Sequence, residues 1–159
     1  MADKTLFGRL RKLFSTGVIM RRVGTGLKVV DTQRIQSSGN IFYIEMNYKE
    51  SRPWGTFENL LDETSCKVKK IVISPNNAPS YQYHYKREEI WVVIQGQGEL
   101  KLHDEIHAIE SSSVIHIPTE AKHQIRNTGS EDLIFIEIQR GEYFGEDDIV
   151  RLEDDYGRI

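Results

Sequence analysis

Residues 81–98, YQYHYKREEIWVVIQGQG, hold the pattern Gln82-x-His84-x4-Glu89-x6-Gly96, and residues 118–127 add Pro118-x4-His123-x3-Asn127. Gln82 and His84 stand two apart, so on a strand both side chains project to one face. Glu89 returns after a short turn at the start of the next run. His123 arrives from a strand-rich segment further along the chain. Side chains pointing into the lumen of a small β-barrel can build a mononuclear site in this way. Gln82, His84, Glu89 and His123 are therefore the expected ligands of one divalent metal ion. Imidazole nitrogens with a carboxylate suit zinc first, and manganese, iron, cobalt or nickel are also compatible. His103, His107 and His116 lack such company and are expected to be surface or hydrogen-bonded residues rather than ligands.

Outward from these motifs the chain reads as short β runs. IFYIEM (41–46), KVKKIVIS (67–74), EIWVVIQG (89–96), GELKLH (98–103), SVIHIP (113–118) and LIFIEIQ (133–139) are β-branched and aromatic, with partial alternation. Turn signals separate them at Pro75-Asn76-Asn77, Gly96-Gln97-Gly98 and Asn127-Thr128-Gly129. Many short strands at near-regular spacing predict an all-β sandwich or barrel. The expected division is a basic N-terminal helix and extended arm over 1–40, then a barrel over 41–159.

Residues 4–14, KTLFGRLRKLF, set Leu6, Phe7, Leu10, Leu13 and Phe14 on one helical face and Arg9, Arg11 and Lys12 elsewhere, which predicts a short basic amphipathic helix. Gly17, Gly24, Gly26 and Gly39 then break the chain into extended pieces, and QSSGN (36–40) reads as a linker or turn. Charge is uneven. Residues 1–40 carry eight Lys/Arg against two Asp, and 141–159 carry two Arg against seven acids. Over 159 residues the net charge is only -3, so nucleic acid is not an expected partner. The single cysteine, Cys66, excludes an internal disulfide and a thiolate-rich zinc site. No apolar run approaches the roughly 20 residues of a membrane span, and no signal-peptide pattern opens the chain.

The two motif segments resemble the paired cupin motifs, with Gln82 in place of the first histidine of the usual His-x-His and Glu120 where glycine is common. Residues 52–158 more closely resemble the type II mannose-6-phosphate isomerase domain, usually the C-terminal part of bifunctional mannose-1-phosphate guanylyltransferases. The resemblance rests on Arg52-Pro53-Trp54-Gly55, Lys67-Val68-Lys69-Lys70-Ile71, the stretch from Ser80 to Trp91, Ile117-Pro118 with Lys122-His123, and the run Gly141 to Arg158. Tyr85, Lys86, Ile90 and Gln124 depart from the family pattern without removing a ligand. The 51 residues before the matching stretch are too few for a guanylyltransferase domain, so GDP-mannose synthesis is not expected. Residues 6–39 are similar to the opening of portal proteins from contractile-tailed phages. That implies a phage-encoded cupin able to dock on a virion through residues 1–40.

The isomerase resemblance implies a cupin double-stranded β-helix (jelly-roll) barrel interconverting mannose 6-phosphate and fructose 6-phosphate through a cis-enediolate, with a phosphosugar as ligand. Lys69 and Glu120 are the candidate proton carriers, and Arg87 and Arg151 the candidate phosphate holders. Trp54 and Trp91 are expected in the core or the pocket wall. A homodimer in the cytoplasm is expected, with virion association if the chain is phage-encoded. Two other functions stand beside this one: a metal- or sugar-binding cupin without turnover, and a cupin enzyme acting on another sugar or nucleotide-sugar. Fold resemblance does not choose among them, because cupins host many chemistries.

Overall fold

In the computed structural model the backbone is described for residues 15–23, 26–37, 40–45 and 48–159, and side chains for 48–159. The helix expected over 4–14 lies outside the described residues. The chain divides into two compact units after Tyr48. In the first, β1 (Ser15–Val23), β2 (Gly26–Ser37) and β3 (Asn40–Glu45) form an antiparallel meander in the order β1-β2-β3. The segment after Ser15 that the sequence presents as an extended arm is thus a sheet. The strand expected at 41–46 forms, but it pairs with β2 and belongs to this unit rather than to the barrel.

The second unit holds eleven strands, which run in two antiparallel sheets. One has the order β11 (Val114–Ile117), β8 (Arg87–Gln95), β13 (Leu133–Gly141), β6 (Cys66–Ile73), β5 (Gly55–Asp62), β4 (Lys49–Arg52). The other has the order β10 (Glu105–Glu110), β9 (Gln97–Leu102), β12 (His123–Asn127), β7 (Tyr81–His84), β14 (Ile149–Glu153). This is the expected all-β jelly roll. The acidic tail does not trail into solvent. Its strand β14 closes the second sheet by pairing with β7, Ile149 opposite His84. Gly96 makes the turn between β8 and β9 at φ +87, and a Cβ there would lie 2.7 Å from the Asp132 carbonyl oxygen.

Register decides where chemistry sits. On β6, β8 and β13 the inward positions alternate strictly, and each strand changes character along its length. Ile73 and Ile71 give way to Lys69 and Lys67, Val93 and Trp91 to Glu89 and Arg87, and Leu133 and Phe135 to Glu137 and Gln139. The pairings place like with like. Leu133 lies opposite Ile73 and Phe135 opposite Ile71, while Glu137 faces Lys69 and Gln139 faces Glu89. One half of the barrel is accordingly apolar, with Ile73, Ile117, Leu133, Phe135, Leu100 and Ile125 clustered between the sheets. Burying each such large side chain stabilises the fold by about 1.5–3 kcal/mol. The other half is a polar cup. Trp91 and Trp54 are buried at its apolar border, as expected.

Candidate metal centre

Three ligating side chains converge in the polar half. His84 ends β7, Glu89 lies on β8 and His123 opens β12. Each is at most 3% exposed, and one ligating atom from each lies within 4.8 Å of the others. His84 Nε2 is 3.2 Å from Glu89 Oε1, and His123 Nε2 is 3.9 Å from Glu89 Oε2. The turn that spaces His84 from Glu89 is held by the tail. The Tyr85 and Lys86 amides donate to the buried Asp148 carboxylate at 3.3 and 3.1 Å.

The His123 ring is set by the backbone. Its Nδ1 lies 2.8 Å from the Ala121 carbonyl oxygen, which can only accept, so Nδ1 carries the proton and Nε2 the lone pair. That Nε2 is buried without a hydrogen-bond partner. Burial pushes the imidazole down to about 4, the Glu89 charge opposing, so the ring is neutral at pH 7. Burial also works to raise the Glu89 carboxyl. The hydrogen bond from His84 and the Arg87 guanidinium beside it overcome this and hold the group well below the usual carboxylate range. Three donors fix the carboxylate: Arg87 Nε at 3.2 Å, Gln139 Nε2 at 3.1 Å and Trp91 Nε1 at 3.1 Å. An unpartnered imidazole lone pair, a second imidazole and an anchored carboxylate meet in one buried place, a donor set that fits a divalent cation.

The fourth expected ligand is turned. Gln82 Oε1 accepts from Ser80 Oγ at 2.7 Å, so the amide nitrogen, at 3.5 Å, faces His84 Nε2. A ligand role for Gln82 requires that amide to rotate and Ser80 to become the acceptor.

A cleft of about 680 Å³, counting its open mouth, runs from this cluster to the surface. Arg151 lines it with its Nε buried and unpartnered. Arg87 also lines it but is spent inside the fold. Besides Glu89 it donates to the Gly145 carbonyl at 3.1 Å and lies 3.7 Å from Asp148. Lys69 lines the cleft, 3.2 Å from Glu146 and 3.9 Å from Glu137. Burial works to lower the Lys69 ammonium, and Glu137, Glu146 and Glu89 together raise it above its ordinary value. A lysine held protonated does not serve as a base. Glu120 is exposed at φ 64, and its amide donates to the His84 carbonyl at 2.7 Å. It steadies the histidine's backbone from outside and does not line the cleft.

Glu137, Gln139, Arg52 and Arg158 also line the cleft, and the sequence reading gives them no role. The first two carried a readable signal, since a charged and an amide side chain occupy core-facing positions of LIFIEIQ. His103, His107 and His116 are exposed, as expected.

The family model described as mannose-6-phosphate isomerase C-terminal matches residues 40–154. The chain is 39% identical over 110 residues to the xanthan biosynthesis protein XanB of Xanthomonas campestris pv. campestris (strain B100), covering 69% of this chain and 24% of that protein. It is 36% identical over 107 residues to a mannose-1-phosphate guanylyltransferase of Salmonella montevideo, covering 67% and 23%. The chain thus spans about a quarter of the length of these curated relatives. A cupin-2 domain from Rhodospirillum rubrum superposes with a TM-score of 0.55 at 16% identity, covering 64% of this chain and 78% of that one, a likeness of fold. The family match begins at residue 40, so it does not bear on the portal-like reading of residues 6–39.

Proposed function

The chain belongs to the mannose-6-phosphate isomerase C-terminal family, and on that premise we propose that its barrel is a metal-dependent aldose–ketose isomerase interconverting mannose 6-phosphate and fructose 6-phosphate. The observation that carries this reading is the convergence of His84, Glu89 and His123 beside a cleft that Glu89 and His123 line together with Arg52, Arg151 and Arg158. His84, Glu89 and His123 would hold one divalent ion, zinc first, with Gln82 joining after its amide rotates. Such an ion supplies a Lewis acid for the sugar's carbonyl and hydroxyl oxygens.

The remaining work belongs to the chain. Arg52, Arg151 and Arg158 line the cleft together. Arg52 is paired with Glu50 at 2.7 Å and Arg158 with Asp154, which leaves the Arg151 Nε–H as the open donor for a phosphate. Trp54 Nε1 and Gln139 Oε1 are also buried without partners along the same cleft, a donor and an acceptor ready for sugar hydroxyls. Among the described residues no helix is long and apolar enough to cross a membrane. A phosphosugar metabolised in the cytoplasm is in keeping with this site.

Purified protein supplied with a divalent cation is expected to convert fructose 6-phosphate to mannose 6-phosphate, followed by coupled assay. A chelator should stop the conversion and added cation restore it. Protein that binds the cation stoichiometrically yet leaves both sugars unchanged would remove the isomerase reading in favour of a non-catalytic binding cupin.

Arg151→Ala should raise KM for either sugar phosphate about 10- to 100-fold, the worth of a charge-assisted hydrogen bond of roughly 1.5–3 kcal/mol. Its kcat should stay within a few-fold. Steady-state kinetics separate the two, and an unchanged KM would place the phosphate elsewhere.

A further inference from the structure

The sequence offers Lys69 and Glu120 as proton carriers; Lys69 is paired with Glu146 and lies 3.9 Å from Glu137, and Glu120 does not line the cleft. The geometry points instead to Glu137 as the catalytic acid–base group of the isomerisation, an inference that rests on the isomerase reading above.

Four observations converge on it. Glu137 is inward on β13, two residues from Gln139, and Gln139 lies opposite Glu89. At about 3.4 Å of rise per residue, the Glu137 Cα stands roughly 7 Å along the strand from Gln139, and its carboxylate reaches back to the same Gln139 amide that holds Glu89. A sugar whose oxygens reach the cluster would bring C1 and C2 past that position. Second, the side chain is held. Gln139 Nε2 donates to Glu137 Oε1 at 2.8 Å and to Glu89 Oε1 at 3.1 Å, one amide tying both carboxylates. Lys69 Nζ also approaches Oε1, at 3.9 Å. Both partners engage the same oxygen, and Glu137 lines the cleft, so Oε2 is the atom available to a substrate C–H.

Third, the other carboxylates of the cleft are committed. Glu89 is anchored by three donors within the metal cluster, and Glu146 is half exposed and paired with Lys69. Fourth, the Glu137 carboxyl is held above its ordinary range in the cation-free protein. Burial and the Glu89 charge push its carboxyl up to about 8, against the pull of Lys69 and Arg87. An acid–base group works best when its pKa lies near the operating pH.

The step balances within the sugar. From the open-chain aldose, the Glu137 carboxylate takes the proton on C2. The C2–H pair becomes the C1–C2 double bond, and the carbonyl pair moves onto O1, giving the cis-enediolate. The O2 hydroxyl proton passes to O1. O2 then forms the new carbonyl at C2, and the double-bond pair takes the proton back from Glu137 at C1. The product is the ketose, and Glu137 is again a carboxylate. Lys69, kept protonated beside it, adds positive charge to the wall along which the enediolate forms.

The test compares the full-length protein with Glu137→Gln and Glu137→Asp, each loaded with the same divalent cation. The readouts are kcat and KM for fructose 6-phosphate, cation stoichiometry by elemental analysis, and phosphosugar affinity by calorimetry. Glu137→Gln is expected to lose about 10³-fold in kcat, within the range of general acid–base catalysis. Its cation stoichiometry and sugar affinity should be unchanged within about threefold, and Glu137→Asp should recover part of the rate. A Glu137→Gln protein within tenfold of the parent rate overturns the assignment. So does a loss of rate matched by loss of cation or sugar binding, which would make Glu137 a structural group. A parent protein that binds cation and sugar but never interconverts them overturns the isomerase reading, and this inference with it.

Discussion

His123→Ala is expected to abolish stoichiometric cation binding and to lower kcat/KM for the sugar phosphates by about 10⁴-fold. The ring is buried, oriented by the Ala121 carbonyl, and presents a ligating atom, Nε2, that has no hydrogen-bond partner inside the protein. Nothing else in the fold uses that lone pair, so its loss is a loss to the cation alone. A Lewis acid at a developing oxyanion is worth several kcal/mol, and each 1.36 kcal/mol is a factor of ten in rate. The ring also packs edge-on against Trp91, with centroids 5.5 Å apart. Some loss of thermal stability will therefore accompany the change, and circular dichroism must establish that the barrel persists. Elemental analysis after dialysis gives the decisive number. A folded His123→Ala protein that keeps one tightly bound cation would show that the cluster is not the binding site.

Part of the cluster was legible because the geometry that joins Gln82, His84 and Glu89 is local, whereas His123 joins only through the pairing of β12 with β7. Two residues at i and i+2, a turn and a third on the next strand need no knowledge of partners. The all-β fold was legible for a similar reason, since alternation is a property of each strand alone. Pairing is not. Glu137 and Lys69 meet only because β13 lies beside β6 in one register, and the chain separates them by 68 positions. Glu120 shows the converse. It is three residues from His123 in sequence, yet a left-handed turn carries it to the surface. Gln82 was placed on the right face, but Ser80 shares that face two residues earlier and captures its carbonyl oxygen. The strand at 41–46 reads like the barrel strands and pairs elsewhere, because composition does not identify a neighbour.

The two-residue spacing that groups Gln82 with His84 applies to Arg87 as well. Arg87 stands two residues before Glu89, so on one strand both point inward, and an inward guanidinium beside a buried carboxylate is a counter-ion before it is a phosphate hook. Arg87→Ala is accordingly expected to cost about 3–5 kcal/mol of folding stability, the usual consequence of stripping one partner from a buried ion pair. Glu89 is 2% exposed and Asp148 is also buried, and Arg87 is near both, at 3.2 and 3.7 Å. Asp148 in turn holds the amides of Tyr85 and Lys86 between His84 and Glu89, so the damage reaches the His84–Glu89–His123 cluster through that turn. Set against a domain stability of roughly 5–15 kcal/mol, such a loss leaves a marginal fold. Arg87→Lys keeps the charge but not the fork that reaches Glu89 and Gly145 together, and should recover only part. Denaturant titration of the metal-free protein reads the effect as a fall in midpoint at constant slope. Full stability in Arg87→Ala, with a raised KM for the sugar phosphate, would reverse the assignment and return this arginine to the substrate. The expected contrast is the opposite one, in which Arg151→Ala spares the fold and weakens the sugar while Arg87→Ala weakens the fold first.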